Sequence, residues 1–410
     1  MKFQLEAFPI IPIEQWKEQI ANELKKANST ESFEFDDEIE NLTISITPEN
    51  YPTIHIENDK HTSDWEVGYE IIITDTNSKE ANKEALQALN FGANAITFSF
   101  DTETDVDLEV LLEEIAVEYI DLHFKIKNEA QGNQILSFKK QYKHKRIFIN
   151  SEKGYDKNLF ISSYNIHAIG GNCSEELAYL LAKINQSITE IEFNTIHIEM
   201  GVGNNLLLEI AKFKATRILL NQLFRSYNLQ PEIYLTAKTG FVNKSCKDQH
   251  TNLLRQTTEV LSAVIGNVDQ IIILPYDKLF EKQENTFTAR MAINISNLLK
   301  EEGKIHFSAN PFSGAKYINQ YIHTLAETSW NLFNEIEEKE GIDNESGKEK
   351  LKISILKTRK SRINKLKTKE HLLVGINAFQ NPIEIENTWN SSFLTSFLDI
   401  PQLILEREIA

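Results

Sequence analysis

The chain is poor in cysteine, in positive charge and in long apolar runs, and each shortage excludes a class of protein. Only two of its 410 residues are cysteines, Cys173 and Cys246, so it has no disulfide framework and no Cys-x-x-Cys pair for zinc or redox chemistry. The net charge of −17 argues against nucleic acid as a partner. No apolar run approaches a membrane span, and the N-terminus lacks the pattern of a signal peptide. We therefore expect a reduced, cytoplasmic protein that binds neither nucleic acid nor membrane.

The remaining composition is ordinary for a globular protein. Hydrophobic residues make up 41% and charged residues 25%, enough for one large core or two small ones. The densest basic run, Lys348 to Lys369, carries ten Lys or Arg residues. A solvated helix face explains this run best, and contact with a polyphosphate is the alternative.

Eight short runs rich in Ile, Phe and Val alternate with helical patterns from Asn94 onwards. The runs are Ala95–Phe100, Tyr119–Phe124, Arg146–Asn150, Leu159–Ser163, Thr195–Met200, Glu232–Thr236, Gln270–Leu274 and Ile305–Ser308. The helical patterns include Ser174–Ile184, Leu206–Tyr227, His250–Ile265 and Ala289–Glu302. This rhythm predicts the α/β class and a (β/α)8 TIM barrel. Only Ser151 to Asn158 separate the third and fourth runs, fewer than the roughly twelve residues of a parallel crossover, so either a helix is missing there or one of these two runs is not a barrel strand.

The two ends of the chain differ from this rhythm. Residues 1–62 hold one amphipathic pattern, Pro12 to Lys26, with Ile13, Trp16, Ile20 and Leu24 at helical spacing. They are expected to form an N-terminal arm that contacts a partner. The barrel is assigned to residues 63–340 and a C-terminal helical extension to residues 341–410. A long helix, about Ala315 to Lys339, is expected to end at Gly341, and a charged helix to cover about Lys348 to Lys367.

One stretch supports comparison with a known family. It holds, in order, Thr236-Ala-Lys-Thr-Gly240, Asn252-Leu-Leu-Arg255, Leu274-Pro-Tyr-Asp277, Asn310-Pro-Phe-Ser-Gly314 and Leu325-Ala-Glu-Thr-Ser-Trp330. In order and spacing this stretch resembles the substrate-binding barrel of methylmalonyl-CoA mutases, and most closely that of their small subunit. The family interconverts methylmalonyl-CoA and succinyl-CoA through an adenosylcobalamin radical. The resemblance therefore directs attention to the residues that such chemistry needs.

The resemblance implies a Tyr-His pair at the end of the fourth predicted strand, followed by an Ala-Gly turn. Aligned on the glycines Gly170 and Gly171, this chain has Tyr164 and Asn165 at the pair. An Asn amide can donate a hydrogen bond, but it cannot carry a positive charge or deliver a proton. Ala168 takes the place of a Glu that faces the nucleoside of the cofactor. His167 is the alternative for the catalytic His, and a hydrogen-bonded structural role is the simpler interpretation of it.

Other elements of the family's chemistry are changed or missing. Catalytic members carry a long segment between the third and fourth runs, so the resemblance favours a lost helix there. The segment that covers the substrate corresponds to Ser63-Asp-Trp65-Glu-Val-Gly-Tyr69, which keeps the Trp and lacks the Arg and Pro. Arg146 is the best candidate for the Arg that binds the substrate carboxylate, but it begins a strand and so faces the wrong end. The axial-His motif of the cobalamin-binding domain is matched only in part, by Asp121-Leu-His123: Ile126 stands at the motif's glycine, and the residues lie inside a predicted strand, so the match is a coincidence. No cobalamin-binding domain is expected here, and no metal site.

What is retained predicts structure more than chemistry. Asn252, Arg255 and Thr258 follow one another at three-residue spacing on one face of a predicted helix, where they can tie loops together. A chain with such retained positions and a depleted set of strand-end residues fits a role in which its shape matters more than its chemistry.

The leading hypothesis is a non-catalytic small subunit that stabilises a large catalytic subunit carrying adenosylcobalamin. The alternative is a truncated acyl-CoA mutase barrel that isomerises its substrate with a separate cobalamin-binding chain. A third hypothesis, an unrelated barrel lyase or aldolase, needs a lysine or a metal at the strand ends, and Lys238 is the lysine placed for a Schiff base. Under the leading hypothesis Tyr164, Asn165, His167 and Lys238 are remnants of a pocket.

Overall fold

The computed structural model describes residues 64–74, 77–104, 106–141, 146–283, 285–307, 311–312, 315–382, 387–391 and 394–409, with a few separate positions and a hairpin before residue 46. That hairpin pairs β1 (Glu34–Asp37) with β2 (Leu42–Ser45). Most of the amphipathic pattern assigned to the arm, including Trp16, Ile20 and Leu24, lies outside the described residues.

Eight parallel strands form one curled sheet in the described part of the chain. They are β3 (Glu66–Ile73), β4 (Ala95–Phe100), β5 (Asp121–Lys125), β6 (Ile147–Asn150), β7 (Asn158–Ser162), β8 (Thr195–Val202), β9 (Glu232–Thr239) and β10 (Gln270–Ile272). The strand order, β6-β5-β4-β3-β10-β9-β8-β7, is that of a (β/α)8 barrel open at one place. The predicted fold class is confirmed.

Helices follow most of the strands and cover the outside of the barrel. They are α1 (Ser78–Asn90), α2 (Leu108–Leu111), α3 (Glu129–Lys139), α4 (Tyr164–Ala168), α5 (Cys173–Glu190), α6 (Leu206–Ser226), α7 (Thr251–Ile265) and α8 (Asn285–Asn297). The helix α5 begins at a capping box in which Asn172 and Glu175 satisfy each other's backbone N–H groups. Beyond the barrel lie α9 (Lys316–Glu337) and α10 (Glu345–Lys367), close to the two helices predicted there.

The order of the strands corrects one prediction. Ile305–Phe307 is a short 3-10 helix and not the eighth strand, and Phe307 is 77% exposed, so its apolar residues have no sheet to join. The missing strand is β3, at the start of the barrel. The strand that carries Tyr164 at its end, β7, is therefore the fifth strand and not the fourth. The segment around Trp65, which aligns with the family's substrate cover, leads into β3, and the Trp65 indole is buried.

The predicted loss of a helix between β6 and β7 is confirmed. Residues 151–157 form only turns, and Tyr155 pairs with Asn158 in an isolated bridge. No backbone ladder joins β6 to β7 within this fully described stretch. Instead the Phe160 N–H donates to the Ser151 carbonyl at 3.1 Å, and the Asn158 side-chain amide donates to the Ile149 carbonyl at 3.0 Å and to Asn150 Oδ1 at 3.2 Å. We call this junction the seam.

Candidate functional site at the C-terminal end of the barrel

The barrel interior is polar along its whole length. In register, residues of neighbouring strands such as Gly68, Ala95 and Asp121 share one face, and side chains two positions further along return to that face. On this face, charged and aromatic polar side chains contact each other although their strands are not neighbours in the sheet. Such contacts are possible only across the inside of a barrel. Branched aliphatic residues usually fill that space.

At the N-terminal end the interior is closed by an ion-paired group. The Arg146 guanidinium pairs with Asp121, and its Nη2 also lies 2.7 Å from Glu66 Oε1. Glu66 and Asp121 are the first residues of β3 and β5, so Arg146 lies at the end of the barrel opposite to the usual catalytic end. The expectation that Arg146 faces the wrong end is confirmed.

The middle layer of the interior consists of stacked rings. The His197 and Tyr234 ring centres lie 4.6 Å apart, and those of His123 and Phe148 lie 4.8 Å apart. Burial lowers the pKa of His197 to about 4, and burial followed by the nearby His197 lowers the pKa of His123 well below its usual value. Both imidazoles are therefore neutral near pH 7.

The upper layer is an ion network of four residues, which we call the interior network: Glu70, Lys125, Glu199 and Lys238. Lys125 Nζ lies 2.7 Å from Glu70 Oε1 and also pairs with Glu199. Lys238 Nζ pairs with Glu70 and lies 3.9 Å from Glu199. Burial alone would raise the pKa of Glu70, but Lys125 and Lys238 outweigh it and hold that pKa well below the usual value. The network is charge-balanced, with two carboxylates and two ammonium groups.

This geometry places Lys238 among anions rather than as a nucleophile. Burial would lower its pKa, but Glu199 and Glu70 raise it above the usual value, so the amine is protonated. The ring of Tyr164 lies over it, 4.6 Å from Nζ. Burial and the charge of Glu70 also raise the pKa of Tyr164, which keeps the phenol neutral. A protonated lysine does not attack a carbonyl, so the arrangement speaks against the Schiff-base hypothesis.

The two residues aligned with the family's Tyr-His pair, Tyr164 and Asn165, begin the short helix α4 and have different surroundings. The Tyr164 side chain lies over the interior network, whereas Asn165 is exposed and His167 is buried. His167 occupies space left by two glycines: a Cβ on Gly201 would lie 2.2 Å from its Cγ, and one on Gly240 would lie 3.0 Å from its Nε2. Its Nδ1 lies 3.5 Å from Glu176 Oε1. His167 therefore packs into the rim of the barrel.

Glu176 joins His167 to a buried lysine that the sequence did not single out. Lys212 Nζ lies 3.0 Å from Glu176 Oε1 and donates to the Gly201 carbonyl at 2.7 Å. Burial opposes its charge, but Glu176 and Glu209 together raise the pKa of Lys212. These contacts connect α5, α6 and the C-terminal end of β8, and they hold the rim together. The structural interpretation of His167 fits this geometry.

The C-terminal segment, residues 394–409, which we call the tail, crosses the mouth of the barrel. The Leu403 N–H donates to the Ala168 carbonyl at 2.8 Å, and the Leu405 N–H donates to the Val242 carbonyl at 2.9 Å. Between them Ile404, 2% exposed, packs in an apolar cluster with residues from three strand ends and the tail, among them Tyr164, Phe241 and Ile272. Because these three follow or end β7, β9 and β10, Ile404 covers the barrel opening. Nothing in the sequence pattern indicated this contact.

One further residue near the mouth, Lys278, was not singled out from the sequence. Burial lowers the pKa of Lys278, which lines a 460 Å³ cleft between α1 and α8.

The retained residues of α7 do tie loops together: Asn252 exchanges two hydrogen bonds with Ser245, and Arg255 donates to the Val374 carbonyl. That prediction is confirmed for Asn252 and Arg255. Thr258 bonds only within its own helix, to the Arg255 carbonyl at 2.8 Å.

A sequence profile described as methylmalonyl-CoA mutase matches residues 137–393, more than half of the chain. The chain belongs to the methylmalonyl-CoA mutase family. It is 27% identical to the methylmalonyl-CoA mutase small subunit of Porphyromonas gingivalis over 443 residues, covering 92% of this chain and 71% of that protein. It is 25% identical to the large subunit of the same organism over 262 residues, covering 56% of this chain and only 35% of that subunit.

Solved structures add little to this assignment. A dihydropteroate synthase of Xanthomonas albilineans covers 62% of this chain and 99% of its own, with 12% identity and a TM-score of 0.35. That likeness is too distant to support an inference. Among the described residues, no helix is long and apolar enough to cross a membrane.

Proposed function

We propose that this chain is the non-catalytic small subunit of a methylmalonyl-CoA mutase and that it stabilises a large subunit carrying adenosylcobalamin. The observation that supports this most is the closed C-terminal end of the barrel. Active sites of such barrels lie at that end. Here the interior network fills the lumen below the mouth, and Ile404 covers it from above. A substrate would have to displace both.

The two histidines that the sequence analysis considered are not placed to serve as an axial ligand of cobalamin. His123, the only match to the axial-ligand motif, is 2% exposed and stacks on Phe148 inside the barrel. His167 is held against Glu176 in the rim. Neither imidazole can reach a corrin ring outside the barrel, so the proposal places adenosylcobalamin in the partner. The similarity to proteins named small and large subunits supports such a partnership.

The role of the small subunit follows from binding linkage. A partner that binds only the folded large subunit stabilises it by mass action without touching the substrate. An obligate heterodimer is expected to bury more than about 2,000 Å². We assign residues 1–62 to the arm that makes part of this contact, residues 63–340 to the barrel and residues 341–410 to the C-terminal extension.

Co-purification from the native host tests the partnership. A tagged chain should recover a larger mutase chain that has the Tyr-His pair and a cobalamin spectrum, and the complex should interconvert methylmalonyl-CoA and succinyl-CoA. The chain alone should show no such conversion when adenosylcobalamin is added. Conversion that needs only this barrel and a separate cobalamin-binding chain would instead establish the truncated mutase.

Deleting Met1 to Lys60 tests the arm separately. Assembly with the large subunit should weaken, because Trp16, Ile20 and Leu24 would no longer contribute apolar surface, while the barrel's own fold stays intact. Gel filtration over a concentration series measures the assembly. Equal affinity of the full and truncated chains would show that the arm is not a docking element.

A further inference from the structure

The carboxylate of Glu406 is held by four donors in the rim of the barrel. Its Oε1 accepts from the Ser245 hydroxyl. Its Oε2 accepts from the Cys246 N–H at 2.9 Å, from the Cys246 thiol at 3.0 Å and from the Trp389 indole N–H at 2.7 Å. Burial would raise the pKa of Glu406, but these hydrogen bonds outweigh it and lower that pKa, so the group is a carboxylate near pH 7.

The donors are organised by parts of the chain other than the tail. The Ser245 N–H donates to Asn252 Oδ1 at 2.9 Å, and the Asn252 amide donates back to the Ser245 carbonyl at 2.8 Å. Cys246, Tyr276 and Phe280 form an apolar cluster against which Trp389 packs. The helix α7 and the loop after β10 therefore hold the donors in place, and the tail supplies only the carboxylate.

We propose that Ser245, Cys246 and Trp389 form a carboxylate-binding site in the barrel rim, which the chain's own Glu406 occupies. The site is selective for a planar carboxylate, because each oxygen has its own donors and charge-assisted hydrogen bonds are about twice as strong as neutral ones. Occupation by Glu406 holds Leu403 to Leu405 across the mouth. Without the Glu406 side chain, a small free carboxylate takes its place. The inference does not depend on the mutase assignment.

The two cysteines make the site measurable in the full-length chain. In a Cys173→Ser background, Cys246 is the only thiol, and it is 4% exposed beneath the tail. Burial first, and then the hydrogen bond to Glu406 and its negative charge, raise the pKa of Cys246 to about 12. Since the thiolate is the reactive form, the wild-type residue should react very slowly with an aromatic disulfide reagent.

Glu406→Ala in this background should raise the reaction rate of Cys246 about tenfold or more, since it removes both the charge and the cover. Sodium formate should then slow the reaction in a saturable way, and sodium chloride at equal ionic strength should not. Glu406→Gln should also react faster, but formate should not protect it, because the amide fills the space. Asp399→Asn is the matched control: it removes one tail charge from a side chain that is 93% exposed.

A Glu406→Ala variant that is folded by circular dichroism but reacts no faster than Asp399→Asn would overturn the proposal. So would fast reaction with no protection by formate. If the Ala variant does not fold, Glu406→Gln decides the matter: a rate equal to that of Asp399→Asn contradicts the role of Glu406, and a clear increase supports it.

Discussion

The outer face of the barrel and its interior are built by the same eight strands from opposite kinds of residue. Outward side chains such as Phe98 and Phe124 are fully buried against each other and the helices, with ring centres 5.6 Å apart. Inward side chains carry the interior network and the buried imidazoles. Apolar packing on the outside gains free energy from every contact, whereas buried ion pairs recover little more than the free energy lost on desolvation. The outer layer therefore provides most of the stability of the fold, whereas the interior determines whether a ligand can enter the barrel.

Breaking the interior network should have the largest effect. Glu70→Leu removes the carboxylate between Lys125 and Lys238 and leaves two buried ammonium groups with Glu199 alone. We expect a loss of about 5 kcal/mol in the free energy of unfolding. Urea titration measures it, with Glu192→Leu as control: that pair with Lys157 is largely exposed and should change stability by less than about 1 kcal/mol. Similar values for both variants would contradict the account of the interior.

Opening a cavity in the outer layer should cost nearly as much. Phe98→Ala removes a ring that is 0% exposed, and we expect a loss of about 4 kcal/mol from lost transfer energy and the cavity. The two layers differ in how the lost stability can be restored. Replacing all four residues of the interior network by apolar ones of similar volume should restore most of the stability lost in Glu70→Leu. If the fourfold variant is as unstable as the single one, the network stabilises the fold more than this comparison allows.

Acidification should weaken the interior selectively. His197 has a folded pKa of about 4 against 6.5 for the free side chain, so the unfolded chain takes up protons first as the pH falls. Its contribution is fully present above pH 6.5 and is lost toward pH 4, up to about 3 kcal/mol. Urea titrations at pH 7, 5.5 and 4.5 should show a steeper decline for the wild type than for His197→Gln. Parallel curves would mean that His197 is accessible to protons in the folded chain.

Restoring one catalytic residue should have the smallest effect. Asn165→His recreates the Tyr-His pair, but the Asn165 side chain is exposed while the mouth stays covered by Ile404. Activity depends on several groups together, so the variant should remain without mutase activity when adenosylcobalamin is present. Conversion of methylmalonyl-CoA by this variant alone would show that the mouth opens.

The sequence predicted the outer layer well because that layer obeys simple patterns. The second strand, Ala95–Phe100, was predicted with the bounds that the structure has. The short link before Asn158 left two alternatives, a lost helix or a false strand, and the family resemblance favoured the lost helix. β3 was missed although its outward residues alternate, because Glu66 and Glu70 on its inner face resemble loop residues. Ile305–Ser308 was wrongly chosen since strand composition without a neighbouring strand does not make a sheet.

The site was less predictable because its contacts join distant parts of the chain. Tyr164 was found through the family resemblance, and Lys238 through its place at a strand end. Glu70 and Lys125, 55 residues apart, meet only when the barrel closes. The contact of Glu406 with Ser245 spans 161 residues, and no local pattern indicates it. Local periodicity records which face of an element is buried, and it says nothing about which charges meet there.

The seam between β6 and β7 has a consequence for the dynamics of the barrel. One backbone hydrogen bond and an amide side chain replace a backbone ladder there. Opening this junction therefore breaks the bond from the Phe160 N–H to the Ser151 carbonyl and the two hydrogen bonds of Asn158, and it leaves every other strand pair intact. Local opening at such a place requires less free energy than global unfolding, and amide protons report it. The N–H groups of Ile147 to Asn150 should exchange with deuterium before those of β8 and β9. The barrel is topologically an eight-stranded parallel sheet whose two edge strands are β6 and β7. New chain termini placed in residues 151–157 would therefore disrupt fewer contacts between strands than termini placed between other neighbouring strands.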